Sequence, residues 1–216
     1  MISQRHHLIY LKPGADFFLV SVHEDKKIME KQVSIWVERG LPCIYAKQLP
    51  HERLTNLGLS LWYANKKHRV NLRIEPSAIQ KQEPPPQLSD LHDFFLRYYG
   101  VDDLRRIIEV HQISDIAIYG SFLFQYLSGY NFVTKSSDLD VLINYHGYSL
   151  AHLRGFMEAL AQKFKRSIDG EIRFQGIGDI SIKELLNIST PKILCKSKDN
   201  VSLLLKKELY EYYPLL

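Results

Sequence analysis

The sequence predicts an α+β chain in two parts: a small N-terminal α+β module over 1–80 and a larger domain over 90–216. Three observations carry this. The run Lys81-Gln-Glu-Pro-Pro-Pro-Gln-Leu-Ser89 contains three consecutive prolines, which force extended backbone and withhold ladder donors, so 81–89 reads as a stiff, Pro-rich linker. Charge is uneven about that linker: residues 1–89 hold 13 Lys/Arg against 8 Asp/Glu, whereas 90–216 hold 15 against 16. Strand-like runs dominate before the prolines, and helix and strand signals alternate after them.

In the first part, 8–11 and 17–22 are short β-rich runs split by the turn signal Lys12-Pro-Gly-Ala-Asp16. Residues 42–46, 59–63 and 69–74 are further strand candidates. Residues 26–38 read as a helix whose apolar members are Ile28, Val33, Ile35, Trp36 and Val37. In the second part, Ser89 or Asp90 caps a helix running to Tyr98, and 101–110 is helical. A short apolar strand over 115–119 runs straight into Gly120-Ser121, and 122–127 is a helix ending at Gly129. Residues 138–144 are strand-like. Ser149 caps a helix through Arg166, with Leu150, Leu153, Met157, Leu160 and Phe164 as its apolar stripe. Residues 171–174 and 179–182 flank Gly176-Ile-Gly178 as a hairpin, and 193–196 and 201–205 are late strands.

Composition narrows the class. The 216-residue chain is 45% hydrophobic and 24% charged, which excludes a disordered tail, a collagen-like fibre and a disulfide-knotted miniprotein. Its two cysteines, Cys43 and Cys195, lie in apolar runs without a C-x-x-C pair, so buried free thiols are expected rather than zinc ligands. No stretch has the length of a membrane span and the first eight residues lack a signal-peptide core, so a cytoplasmic location is expected. The basic front half suits an anionic partner, and equally suits mere solubility.

The chemistry concentrates in strand, Gly120-Ser121, helix, and then Ser136-Ser-Asp-Leu-Asp-Val-Leu-Ile143. On a strand, alternate side chains share a face, so Asp138 and Asp140 point one way while Leu139 and Val141 point into the core. Like charges at ~7 Å repel unless a cation separates them, and hard oxygen donors favour Mg²⁺. At Gly120-Ser121 a strand turns into a helix, so backbone N–H groups and the serine hydroxyl can meet an anion. A phosphate cradle beside metal-binding carboxylates is what phosphoryl or nucleotidyl transfer requires.

This order of motifs resembles the DNA polymerase β-like nucleotidyltransferase superfamily, which implies a mixed sheet with flanking helices in the C-terminal domain. The resemblance implies that two aspartates bind metal and that a third carboxylate follows on a later strand. Asp169 and Glu171 are the candidates, with Glu171 favoured because it opens the apolar run Glu-Ile-Arg-Phe174. The longer run Tyr119-Gly-Ser-Phe-Leu-Phe-Gln-Tyr-Leu-Ser-Gly-Tyr130 with Ser136-Ser-Asp-Leu-Asp140 is similar to the phosphoribosyl-dephospho-CoA transferases of malonate decarboxylase systems. Arg5-His6, Trp36, Pro84-Pro-Pro86, Asp169-Gly-Glu171 and Lys196 fall in matching order. Phe124, where that family tends to have tryptophan, departs from it.

The resemblance implies transfer of phosphoribosyl-dephospho-CoA from triphosphoribosyl-dephospho-CoA to a serine of an acyl-carrier subunit of malonate decarboxylase, with release of pyrophosphate. It implies that Asp138 and Asp140, with Glu171 or Asp169, hold Mg²⁺ and that Gly120 and Ser121 grip the pyrophosphate. Gln125, one helical turn past Ser121, either contacts ligand or is an inward-facing, hydrogen-bonded residue. Ser137 orients a carboxylate, contacts phosphate or shapes a turn. Lys196, in an apolar strand, either contacts phosphate or pairs with Asp138, Asp140 or Glu171. Arg5 and His6, which match the family's start, are either phosphate-binding candidates or solvated residues near the terminus. Lys66, Lys67, His68, Arg69 and Arg73 form the densest basic cluster, either a carrier or CoA surface or a solvated strand face. Two other functions stand beside this one: nucleotide transfer to another protein, small molecule or tRNA, and a binding module without catalysis.

Overall fold

A computed structural model describes residues 4–21, 25–49 and 51–216. The chain packs as two units, one of Met1–Pro85 with Leu127–Phe132 and Lys198–Asn200, the other of Pro86–Tyr126, Val133–Ser197 and Val201–Leu216.

The first unit is built on one antiparallel sheet. Its strands are β1 (Leu8–Leu11), β2 (Phe18–Ser21), β3 (Cys43–Tyr45), β4 (Thr55–Tyr63), β5 (Lys66–Ile74) and β6 (Ile79–Glu83), in the order β2-β5-β4-β3-β1-β6. Val22 of the expected second strand lies outside the described residues. Helix α1 (Lys26–Glu38) starts where Asp25 Oδ1 accepts the backbone N–H groups of Lys27 at 2.9 Å and Ile28 at 3.3 Å, satisfying two of the donors a helix start leaves open. It buries Met29, Val33, Trp36 and Val37, one stripe at helical spacing. Ile28 and Ile35, expected among the apolar members, fall on the flank of that stripe and are exposed.

β4 and β5 are longer than expected. Ala64 and Asn65, both with positive φ, close a two-residue hairpin turn, and the ladder then pairs every residue from Tyr63 with Lys66 to Thr55 with Ile74. The polar Lys66-Lys67-His68 thus enters a strand through its partner strand rather than its own composition. The connector is shorter than 81–89, because Lys81–Glu83 complete β6. β6 lies at the sheet edge and pairs with β1, so the donor-less prolines that follow it forfeit no ladder bond. Phe132, in the segment Leu127–Phe132 that belongs to this unit, meets the rings of Trp36 at 6.3 Å and Trp62 at 6.1 Å.

The second unit is built on a mixed sheet. Its elements are α2 (His92–Tyr99), α3 (Leu104–His111), β7 (Ile116–Tyr119), α4 (Gly120–Ser128), β8 (Leu139–Asn144), α5 (Leu150–Phe164), β9 (Ile168–Phe174), β10 (Gly178–Ser181), α6 (Ile182–Leu186), β11 (Lys192–Lys196), β12 (Val201–Leu205) and α7 (Lys206–Tyr212). The strand order is β12-β11-β10-β9-β8-β7, and β8 with β9 is the parallel pair. A parallel pair needs a long crossover, here supplied by α5. Ser149 caps α5 by accepting the His152 N–H at 3.2 Å, and Leu153, Phe156, Met157, Leu160 and Phe164 are buried along it. The short helices α6 and α7 were not expected: α6 begins at the isoleucine expected to end a strand.

Alternation divides the sheet into an apolar and a polar face. Leu139, Val141, Ile143, Ile168, Ile172, Phe174, Ile180, Ile193 and Cys195 are buried on the apolar one. Gly170 permits close approach of β9 to β8, since a β-carbon there would stand 2.2 Å from the Val141 carbonyl oxygen.

Candidate active site

The site lies on the polar face of the second unit's sheet, where β7 turns into α4. Gly120 makes the bend in the left-handed region at φ +67°, which glycine adopts without steric cost. Tyr119, the last residue of β7, pairs with Asp140 of β8, so the bend and that carboxylate are neighbours by register. A β-carbon on Gly120 would lie 1.9 Å from Asp140 Oδ2, so the carboxylate occupies the space that any other residue would fill. Ser121, the next residue, is buried in the first turn of α4, whose leading N–H groups have no intrahelical acceptor.

Across the parallel ladder, Asp140 pairs with Asp169 and Leu142 with Glu171. Facing residues of adjacent strands share a side of the sheet, so Asp140 and Asp169 are direct neighbours and Glu171 stands two residues further along. Asp169 Oδ1 accepts the Gly170 N–H at 3.0 Å and lies 3.4 Å from Lys183 Nζ. Asp138 is half-buried and sits one residue before β8, after the turn that ends at Ser137.

Glu171 is buried at 5% exposure, and Lys196 Nζ donates to its Oε1 at 2.7 Å. The pairing that the sequence left open for Lys196 is therefore with Glu171. Beside it, Arg173 donates through Nε and a terminal nitrogen to the two oxygens of buried Asp179, at 2.7 and 2.9 Å. Arg173 and Asp179 escaped the sequence reading, although Arg173 stands at the alternate position after Glu171 and Asp179 interrupts an apolar run. The polar face thus carries two acids at the α4 bend and two neutralised acid–base pairs further along.

Ser137 shapes a turn: its Oγ accepts the Thr134 N–H at 2.9 Å, and its own N–H donates to the Thr134 carbonyl at 3.2 Å. Gln125 is the hydrogen-bonded, inward-facing residue. It donates to Tyr99 Oη at 2.9 Å and accepts the Val133 N–H at 2.9 Å, fastening the chain where it returns to this unit. Burial pushes the Tyr99 phenol up, against the opposing pull of Arg166 and the Gln125 bond. Arg5 and His6 belong to the first unit, where His6 takes a positive φ just before β1. In the basic cluster, Arg73 is engaged by Glu52 at 2.9 Å and Asn56 at 3.1 Å, while Lys66 and Arg69 lie exposed on β5.

Asp140 and Asp169 thus face each other across the parallel ladder beside the start of α4, with Asp138 one residue before β8; carboxylate oxygens are the donors that hard divalent cations take.

The comparisons with known proteins bear on the whole chain. Residues 4–85 match the model of the phosphoribosyl-dephospho-CoA transferase MdcG N-terminal domain, and residues 100–207 match that of the MdcG C-terminal domain. A phosphoribosyl-dephospho-CoA transferase of Bradyrhizobium diazoefficiens is 26% identical over 204 residues, 93% of this chain and 89% of the relative. No solved structure matches the chain. Two family domains in order, over nearly the full length, place this chain in the MdcG family of phosphoribosyl-dephospho-CoA transferases, and make it a transferase enzyme.

Proposed function

We propose that this enzyme transfers phosphoribosyl-dephospho-CoA from triphosphoribosyl-dephospho-CoA to a serine of the acyl-carrier subunit of malonate decarboxylase. The observation that carries the reading is the Asp140 carboxylate seated on Gly120 with Asp169 facing it on the next strand, an acid pair beside an anion-receiving helix start. The serine Oγ attacks the phosphorus nearest the ribose, the bond from that phosphorus to the diphosphate breaks, and a phosphodiester and pyrophosphate result. Mg²⁺, when bound, neutralises charge on the transferred and departing phosphates. Asp138, Asp140 and Asp169 are the residues that would hold it.

The remaining work falls to the chain's own groups. The N–H groups of Gly120 and Ser121 and the Ser121 hydroxyl receive the departing diphosphate. Asp169, facing Asp140, is the better third carboxylate and accepts the serine proton. Glu171 is tied to Lys196 and fixes that ammonium for contact with an anionic part of the substrate. We assign carrier or CoA recognition to the first unit, through the exposed basic side of β5. No helix among the described residues is long and apolar enough to cross a membrane. Both cysteines are buried thiols outside any disulfide, as a reducing compartment leaves them, and the cytoplasm is the proposed location.

The test is incubation of the full chain with Mg²⁺, triphosphoribosyl-dephospho-CoA and the carrier subunit, read by intact mass. The expected result is a carrier heavier by one phosphoribosyl-dephospho-CoA group, with one pyrophosphate released. A carrier that keeps its original mass, or that gains a nucleotide when ATP is supplied in place of that precursor, would overturn this substrate assignment.

A further inference from the structure

Arg166 lies outside the motifs that mark the site, yet its guanidinium joins several of the segments that build it. It follows the left-handed residue Lys165, which ends α5, and precedes β9, the strand of Asp169. Its Nη1 donates to the carbonyl oxygens of Thr134 at 2.7 Å and Ser137 at 2.9 Å, with a longer contact to that of Lys135 at 3.4 Å. Ser137 immediately precedes Asp138. The guanidinium carbon also lies 5.5 Å from the ring centroid of Phe122, the residue after Gly120-Ser121. Next to it, the Leu139 N–H donates to the Ser167 carbonyl at 3.0 Å.

A loop is held by what its backbone groups bond to, and 134–137 has little else. Within it the Thr134 and Ser137 groups bond mainly to one another, and Gln125 holds only its start at Val133. We infer that Arg166 is the positioning residue of this site, fixing the loop and hence the Asp138 carboxylate against the start of α4 and the start of β9. This inference rests on the proposed role of Asp138. Planarity lets Nη1 meet these carbonyls while the guanidinium lies over Phe122; a lysine ammonium keeps the charge but not that planar face.

The test compares Arg166→Gln and Arg166→Lys with the wild-type chain by hydrogen exchange, Mg²⁺ titration and turnover. In Arg166→Gln, amide exchange over 133–139 should rise at least about tenfold while α5 stays protected. Half-maximal turnover should need about tenfold more Mg²⁺, and kcat should fall about 10²-fold with the substrate KM nearly unchanged. Arg166→Lys should fall between the two. Unchanged exchange over 133–139, or faster exchange with an unaltered Mg²⁺ requirement and kcat, overturns the inference. Asp138→Asn separates the two failures: wild-type turnover there removes the catalytic reading and this one together, whereas an inactive Asp138→Asn beside a fully active Arg166→Gln removes only the clamp.

Discussion

Asp140 rests on Gly120: the carboxylate fills the volume where a side chain would begin, 1.9 Å from an idealised β-carbon. The bend and the acid therefore constrain one another. Gly120 needs its left-handed φ to turn β7 into α4, and Asp140 needs the absence of a side chain to lie against that turn.

Gly120→Ala meets both constraints at once. The substitution should cost about 1–3 kcal/mol of stability through the left-handed backbone and the clash. By shifting the carboxylate it should also lower turnover about 10²-fold. Thermal unfolding and carrier-labelling rates on the same preparation check both. A fully active alanine variant would show that the Asp140 position is not required.

Neutralising the acids should separate chemistry from folding. Asp138→Asn, Asp140→Asn and Asp169→Asn are each expected to lower turnover by at least about 10²–10³-fold, the size typical of a lost transition-state contact. Their unfolding temperatures should stay level or rise, because like charges at the α4 bend no longer repel. Glu171→Gln should reduce turnover less than Asp169→Asn. The reverse order would return the third carboxylate to Glu171.

The pair Glu171–Lys196 behaves differently, because Glu171 is buried at 5% exposure and Lys196 is its partner at 2.7 Å. Removing the lysine as Lys196→Met takes from a buried carboxylate the ammonium bonded to it and should cost about 2 kcal/mol, whereas the double variant Glu171→Gln/Lys196→Met should recover part of that. Chemical denaturation of the two single variants and the double variant gives the coupling. Additive losses would show that the pair is not energetically linked.

Alkaline stability offers a check on the first unit's core. Burial pushes the Cys43 thiol from its ordinary 9.0 up to about 12. Between those values the folded chain keeps a proton that the unfolded chain has lost, so this group's contribution to stability falls as pH rises from about 9. Lys206 acts in the opposite sense: burial pushes its ammonium pKa down, so the unfolded chain holds the extra proton and stability rises with pH. Cys43→Ala removes only the thiol's share, and its unfolding temperature should decline less steeply above pH 9 than the wild type's. Below that pH the native thiol should resist alkylation. Equal slopes in the two proteins would contradict the buried, neutral thiol.

Local order was legible from the residues alone. Helix α1 runs over 26–38 as its periodicity predicts, although Met29 rather than Ile28 turns inward. Ser149 caps α5 as read, and the apolar run around Asp140 is a strand that starts one residue after Asp138. These features follow from neighbours a few residues apart, which is the range over which capping and periodicity act.

Strand register was decided elsewhere. That Asp169 faces Asp140 depends on β9 starting at Ile168 and running parallel to β8, a pairing made across the whole of α5. Lys196 reaches Glu171 across β10 because the ladders put both side chains on one face, and Arg166 reaches the 134–137 carbonyls because α5 returns the chain to the start of β8. A strand specifies which of its residues share a face, but its partner and offset are set by distant segments competing to bury one apolar side. The chemical groups, the local elements and the likeness to a family are therefore readable along the chain, whereas which acids stand together and which base neutralises which acid follows from strand pairing in the folded molecule.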